Sequence, residues 1–183
     1  DTSTIKTAID SVKKQRSTDD TKLILQGVAF RLMENDVLCL EAIDGYRIAS
    51  AMIPTAKHED GDFTEGVFDL PKTLRLDTKA PTFLEFTQQQ LIIENGGLAI
   101  TCRRIDGEPF DTTKIFPDDE AIEREYAFNP KYLAEALSAM KNTGRTREPV
   151  ILKLQESETA PVVLEFEKDG VKQKHLILPI IRR

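Results

Sequence analysis

Residues 125–141, Glu125-Tyr126-Ala127-Phe128-Asn129-Pro130-Lys131-Tyr132-Leu133-Ala134-Glu135-Ala136-Leu137-Ser138-Ala139-Met140-Lys141, set the reading of the whole chain. Glu125–Phe128 reads as a short strand. Asn129 is a favoured N-cap, because its side-chain oxygen can accept from an orphan amide of the first turn. Pro130 suits the first helical position, where a missing N–H costs nothing. Leu133, Ala136, Leu137 and Met140 then recur at helical spacing and predict one buried stripe on a helix reaching about Lys141. Asn142 to Gly144 supply a stop. Three strands are expected next: Val150–Leu154, Val162–Glu167 and, after the Lys168-Asp169-Gly170 turn, Val171–Pro179.

Working outward, the same order recurs upstream. Val67–Leu70 is a short strand, and Pro71 opens a stunted helix over Lys72–Lys79 that Pro81 closes. Phe83–Thr87, Leu91–Glu94 and Leu98–Ile105 follow as strands, joined by Gln88-Gln89-Gln90 and by the hairpin signal Asn95-Gly96-Gly97. Asp106-Gly107 ends the last of them, and an irregular stretch runs to Pro117. Further back, residues 4–16 predict an amphipathic helix capped by Thr2, Ser3 or Thr4, with Ile5, Ala8, Ile9 and Val12 as its apolar stripe. Strands Leu23–Leu32, Val37–Ile43 and Tyr46–Ile53 come after it, the last two meeting at Asp44-Gly45. Pro54 stops the third, since proline cannot donate to a ladder, and residues 55–65 read as a polar loop.

One unit, strand–helix–strand–strand–strand, therefore appears three times, lacking only its first strand in the first copy. Pro71-Lys72-Thr73-Leu74 answers Pro130-Lys131-Tyr132-Leu133. Each helix buries a single stripe, so paired copies are expected to pack helices side by side behind antiparallel sheets. The fold class is α+β, helices on one face and sheets on the other. Basic residues would then line a common helical surface: Lys6, Lys13, Lys14 and Arg16, with only Asp10 opposing them, then Lys72, Lys79, Lys131, Lys141, Arg145 and Arg147.

The formal charge of −6, from 25 basic and 31 acidic residues, argues against a protein that grips nucleic acid over its whole surface. It leaves room for one basic lining face. Cys39 and Cys102 lie in strand-like runs without metal spacing and read as small buried residues of a reducing compartment. His58 and His175 form no cluster, so no metal or cofactor is expected. Gly96-Gly97 is no phosphate loop, because the following Lys-Ser/Thr and helix are missing. The carboxylates Asp19-Asp20, Asp118-Asp119-Glu120 and Glu123 fall in turns or charge runs, and no Ser or Cys has a His at useful spacing. Catalysis is not expected. No apolar run is long enough for a helical membrane span, and no secretory segment opens the chain.

Five stretches, in order, resemble the bacterial DNA polymerase III beta subunit family, the replicative sliding clamps. They are Leu25-Gln26-Gly27-Val28-Ala29-Phe30, Asp44-Gly45-Tyr46-Arg47-Ile48-Ala49, Ile105-Asp106-Gly107-Glu108-Pro109-Phe110-Asp111 running to Pro117, Phe128-Asn129-Pro130-Lys131-Tyr132-Leu133 through Leu137, and Leu176-Ile177-Leu178-Pro179-Ile180. The resemblance implies that residues 1–118 correspond to the family's middle domain, and residues 119–183 to the second half of its last domain. It also implies a cytoplasmic homo-oligomeric ring, helices inside and sheets outside, that encircles duplex DNA without reading sequence. Such a ring tethers the replicative polymerase and meets the clamp loader through short peptide motifs. The peptide groove would fall on Leu25, Gly45, Tyr46, Arg47 and Ile48, then Phe110, Lys114 and Ile115, then Asn129 and Tyr132, then Leu176, Ile177, Leu178, Pro179 and Ile180.

Its aliphatic and aromatic side chains suit a partner's Leu or Phe, with Tyr, Asn and Arg as orienting groups. The chain departs from the family in lacking the half-domain before its third unit. It also ends Pro179-Ile180-Ile181-Arg182-Arg183, one residue longer than the usual ending, and it opens on Asp1. It is therefore expected to be a shortened relative or a fragment. Two functions follow: a DNA-encircling processivity factor, or a non-encircling module that binds the same peptides.

Overall fold

The computed structural model describes residues 1–33, 36–56, 64–110, 112, 115–140 and 148–181. It divides into two compact units, Asp1–Asp111 and Thr112–Arg183, a division that comes before the boundary expected at the 118–120 acidic link.

In the first unit, helix α1 (Thr2–Val12) is capped by Asp1, whose carboxylate accepts from the Ser3 amide. The cap lies one residue ahead of the three candidates, and Thr2 is instead buried. Strands β1 (Val28–Met33), β2 (Val37–Ile43), β3 (Ile48–Pro54), β4 (Glu65–Phe68), β5 (Thr82–Phe86), β6 (Gln90–Asn95) and β7 (Leu98–Ile105) form one antiparallel sheet, ordered β3-β2-β1-β4-β7-β6-β5. Period-two alternation turns Val28 and Phe30, Leu38, Leu40 and Ala42, and Leu91 and Ile93 into one core with Ile5, Ala8, Ile9 and Val12 of α1. Phe30, Phe68 and Phe86 meet at the centre, with ring centroids 5.9–6.3 Å apart.

Three expectations need correction here. Leu23–Gln26 is a 3-10 turn and not the start of a strand, which begins only at Val28. Gly27 at the junction lets the chain pass close to β4, because a Cβ there would lie 2.4 Å from Val67 Cγ1. The β2–β3 turn also takes in Tyr46 and Arg47, so β3 starts at Ile48. The Asp44 carboxylate accepts from both of their amides and closes the wider turn.

The third correction is the larger one: Lys72–Lys79 forms no helix. Leu74 and Leu76 are both buried, and residues two apart cannot share one face of a helix. The backbone is held from outside instead. The buried Asn95 side chain accepts from the Asp77 amide at 2.6 Å, and its Nδ2 donates to the carbonyls of Asp77, Ala80 and Pro81 and to the Thr82 hydroxyl. Thr2 Oγ1 joins by donating to the Ala80 carbonyl. Gly96 and Gly97 make the adjacent turn, both with positive φ, as the Asn-Gly-Gly signal implied.

The second unit holds helix α2 (Pro130–Ala139) and the sheet β10-β9-β8, from β8 (Ile151–Lys153), β9 (Val162–Lys168) and β10 (Val171–Ile177). Asn129 caps α2 as expected, accepting from the Lys131 amide at 3.0 Å. Ala136 and Met140 pack on Val162, Leu164, Phe166 and Ile177, with Leu133 half-buried. Leu137, expected inside, is exposed: a three-stranded sheet is too narrow to cover the flank of the stripe.

Glu125–Phe128 forms no ladder. It is held by the stacked rings of Tyr126 and Phe128, by the Tyr126 hydroxyl donating to the Gln155 carbonyl, and by one bond from the Ile180 amide to the Ala127 carbonyl. β10 stops at Ile177, before Pro179, which has no amide to donate.

Replacing Asn95 with Ala leaves the Asp77 amide and the Pro81 carbonyl without their part-buried partner, while the Asp77 and Ala80 carbonyls keep bonds from the Ala80 amide and Thr2. The change is expected to destabilise the chain by about 2–3 kcal/mol. A lower midpoint in urea unfolding with unchanged m-value is the readout; an unshifted midpoint would show that the 77–82 loop is held by something else.

Candidate functional site

The basic residues at the front of the chain do not stand free together. On α1, Lys6 Nζ lies 2.5 Å from Asp10 Oδ2, and Lys13, in the 3-10 turn that follows, binds Oδ1 of the same carboxylate. The two ammonium groups hold the Asp10 carboxyl down at about 2, the hydrogen bond from Lys13 contributing most and that from Lys6 next. Arg16 is committed to backbone carbonyls, those of Lys13 (3.1 Å) and Leu70 (2.9 Å). Lys14 is exposed and has no acidic partner among the described residues. Lys72 and Lys79 are exposed too, on the irregular 71–81 segment and not on a helix. Lys131 is exposed on α2, 4.0 Å from Glu135. Lys141, Arg145 and Arg147 lie outside the described residues.

The candidate groove residues fall in both units. In the first unit the β2–β3 turn presents Gly45, at φ +93°, and Tyr46, 94% exposed. Arg47 Nε donates to Asp44 Oδ2 at 2.7 Å, and its guanidinium reaches the Lys14 carbonyl at 3.4 Å. That Arg47 bond, with those from the Tyr46 and Arg47 amides, holds the Asp44 carboxyl below its usual range. Ile48 is half-buried, Phe110 is exposed, and Leu25 is buried in the 3-10 turn. Lys114 lies outside the described residues.

In the second unit, Tyr132, Leu176, Ile177 and Leu178 come together around a cavity of about 640 Å³ between α2 and β10. Glu135, Ala136, Lys174 and His175 complete its lining. These four were missed from the sequence. The signal for Glu135 and Ala136 was their place one helical turn beyond Tyr132. For Lys174 and His175 it was only that they continue the strand, which says nothing of what faces it. Ile177 is the buried floor, and Tyr132, Leu176 and Leu178 are exposed. Ile180 and Ile115 are exposed and Pro179 half-buried, but none of the three lines the cavity. The side-chain oxygen of Asn129 is already taken by the helix cap. An apolar floor rimmed by a phenol, a carboxylate and an ammonium can take an aliphatic or aromatic side chain and orient the backbone that carries it.

Burial pushes the Cys102 thiol up to about 11 and raises Cys39 as well, which disfavours thiolate chemistry at either. Among the described residues no helix is long and apolar enough to cross a membrane.

Comparison with known proteins adds the decisive observation. Residues 1–111 match the family model described as DNA polymerase III beta subunit, central domain. The chain belongs to the DNA polymerase III beta subunit family. Solved structures of beta subunits share its fold over both units. The C. crescentus beta sliding clamp aligns with 98% of this chain at TM-score 0.75 and 19% identity, over 49% of its own length. The Streptococcus pneumoniae beta chain aligns with 97% at TM-score 0.73 and 20% identity, over 48% of its length. The Bartonella birtlesii sliding clamp, solved bound to griselimycin, aligns with 98% at 0.73 and 19%, over 50%. This beta-subunit chain thus spans about half the length of the clamps it resembles. No curated protein matches it.

The lysine clasp predicts an acid response. The folded Asp10 pKa, about 2, lies below the ordinary aspartate value, so the stabilisation is complete above the unfolded value and disappears as pH falls through about 2. The pair is open to solvent, so Asp10→Asn is expected to cost less than about 1 kcal/mol at neutral pH. Carboxyl NMR titration should place the Asp10 midpoint near 2; a midpoint in the ordinary aspartate range would mean that the lysines do not hold it.

Proposed function

We propose that this chain is a non-enzymatic processivity factor that works in the cytoplasm as a homo-oligomeric ring around duplex DNA. Its α1 side faces the DNA; Tyr46 and Arg47 of the first unit, and separately Tyr132 and Leu176 to Ile180 of the second, are contacts for short peptides of a replicative polymerase and clamp loader. The observation that carries this reading is the match of residues 1–111 to the beta-subunit central domain. The apolar cavity beside α2, which gathers four of the groove candidates, supports the peptide-binding part. DNA contacts would be few, directed at phosphates and indifferent to sequence, as sliding requires.

The test is topological. The full chain should run as a closed oligomer by sedimentation, remain on circular duplex DNA, and leave when that DNA is linearised. A strict monomer would overturn the ring. Peptide binding with no topological retention would instead support a non-encircling interaction module. The two faces should also separate by mutation. Tyr46→Ala or Ile180→Ala should weaken binding of a polymerase-derived peptide roughly tenfold, the scale of an apolar interface anchor, while leaving retention on circles intact. Lys14→Gln with Lys72→Gln should do the reverse. If both sets damaged both functions equally in folded protein, the assignment of faces would be wrong.

A further inference from the structure

We infer that Asp10 sets how strongly this chain holds duplex DNA, by keeping the ammonium groups of Lys6 and Lys13 folded along α1 and away from phosphates. The inference rests on the proposed reading that α1 faces the DNA. Ile5, Ala8, Ile9 and Val12 are buried against the sheet, so at about 3.6 residues per turn the opposite ridge of the helix carries Ser3, Thr7 and Asp10. Asp10 thus sits on the outermost line of the helix. Lys6 reaches it from one turn before and Lys13 from one turn after, one ammonium on each carboxylate oxygen.

The consequence is electrostatic. Two cations and one anion share a single spot on the helix, and a phosphate that would recruit either lysine must compete with a carboxylate already bonded to it. Arg16 is withheld separately, by the carbonyls of Lys13 and Leu70. Of the four basic residues at the front of the chain, Lys14 alone is presented without an acidic partner among the described residues. Each cation delivered to a phosphate adds about 0.9 to the slope of log affinity against log salt. The clasp therefore keeps that slope shallow, and with it the grip on the backbone.

The experiment measures binding of the full chain to a linear duplex by fluorescence anisotropy, across a salt series of about 50 to 200 mM. Asp10→Asn should raise affinity several-fold at the low-salt end and steepen the slope by about 0.9 for each lysine released. The gain should vanish when Lys6→Gln and Lys13→Gln are added. Glu85→Gln makes the same change in net charge on the exposed side of β5, and should give little of the effect. Circular dichroism checks that each variant is folded, and Asp10→Ser is a second replacement if the Asn variant is not.

Two results overturn the inference and leave the DNA reading in place. One is an equal gain from Glu85→Gln, which would mean that net charge alone acts. The other is no gain from Asp10→Asn while Lys14→Gln weakens binding. If neither Asp10→Asn nor Lys14→Gln alters affinity or slope, α1 does not face DNA, and the proposed reading fails together with the inference built on it.

Discussion

The first unit depends on one short strand, Glu65–Phe68, whose four residues pair with β1 and whose Val67 and Phe68 pair also with β7. β4 lies between β1 and β7, so it joins two three-stranded meanders into one seven-stranded sheet. Everything else in that unit follows from keeping this short strand buried and in register. Phe68 sits at the centre of the aromatic cluster, and Gly27 lets the chain entering β1 pass close to Val67. On the far side of β1, Arg31 Nε donates to Glu65 at 2.8 Å and its guanidinium also approaches Glu41, so the first residue of β4 is tied to its neighbour by charge as well as by backbone. A strand this short has few ladder bonds of its own, and side-chain packing on both neighbours makes up the difference.

A sheet of this width with a single helix must cover its remaining inner face some other way. Here the 70–81 segment does so with Leu70, Leu74 and Leu76 in place of a second helix. Such a segment cannot satisfy its own backbone, and a buried carbonyl without a partner is costly. Asn95 and Thr2 supply those partners from β6 and from the start of α1. One polar network thus connects the helix, the loop and the sheet, and the loss of the second helix is offset by side chains distant in sequence.

The same economy governs the charges proposed to meet DNA. A chain of net −6 has little positive charge to present, and part of what it has is internally spent. Lys6 and Lys13 are shared by Asp10, and Arg16 serves as a brace to Leu70. Arg47 is divided between Asp44 and the carbonyl of Lys14, which places a groove candidate in contact with the end of the helical surface. In the second unit, Glu165 is flanked by Lys153 and Lys174 across the strands, the same local pairing of opposite charges on a sheet. A surface built this way favours weak contacts over a tight grip.

What the sequence determined by itself was local or periodic. The Asn129-Pro130 cap, the Asn95-Gly96-Gly97 turn, the stripe of α1 and the strand runs of β2 and β7 depend on residues a few positions apart, and they were legible as written. The α+β class followed from them; the repeat they suggested holds only in part, since 72–79 form no helix and 125–128 no ladder strand. The resemblance of five short stretches pointed to the family that the match over residues 1–111 then established.

What only the tertiary structure decided involved partners far away in sequence. Pro71-Lys72-Thr73-Leu74 echoes a real helix start, yet Asn95 and the burial of Leu76 beside Leu74 keep the segment irregular. The candidate site divides in the same way. Tyr132 and Leu176 to Leu178 meet because α2 packs against β10, and Glu135 and His175 join them for that reason alone. The spacing of Asp10 to Lys6 and Lys13 was visible in the sequence; that the carboxylate holds both lysines, while Arg16 turns to Leu70, was not. Propensity is set by near neighbours, whereas burial and ion pairing are set by whatever the fold brings into contact, and here the distant contacts decided.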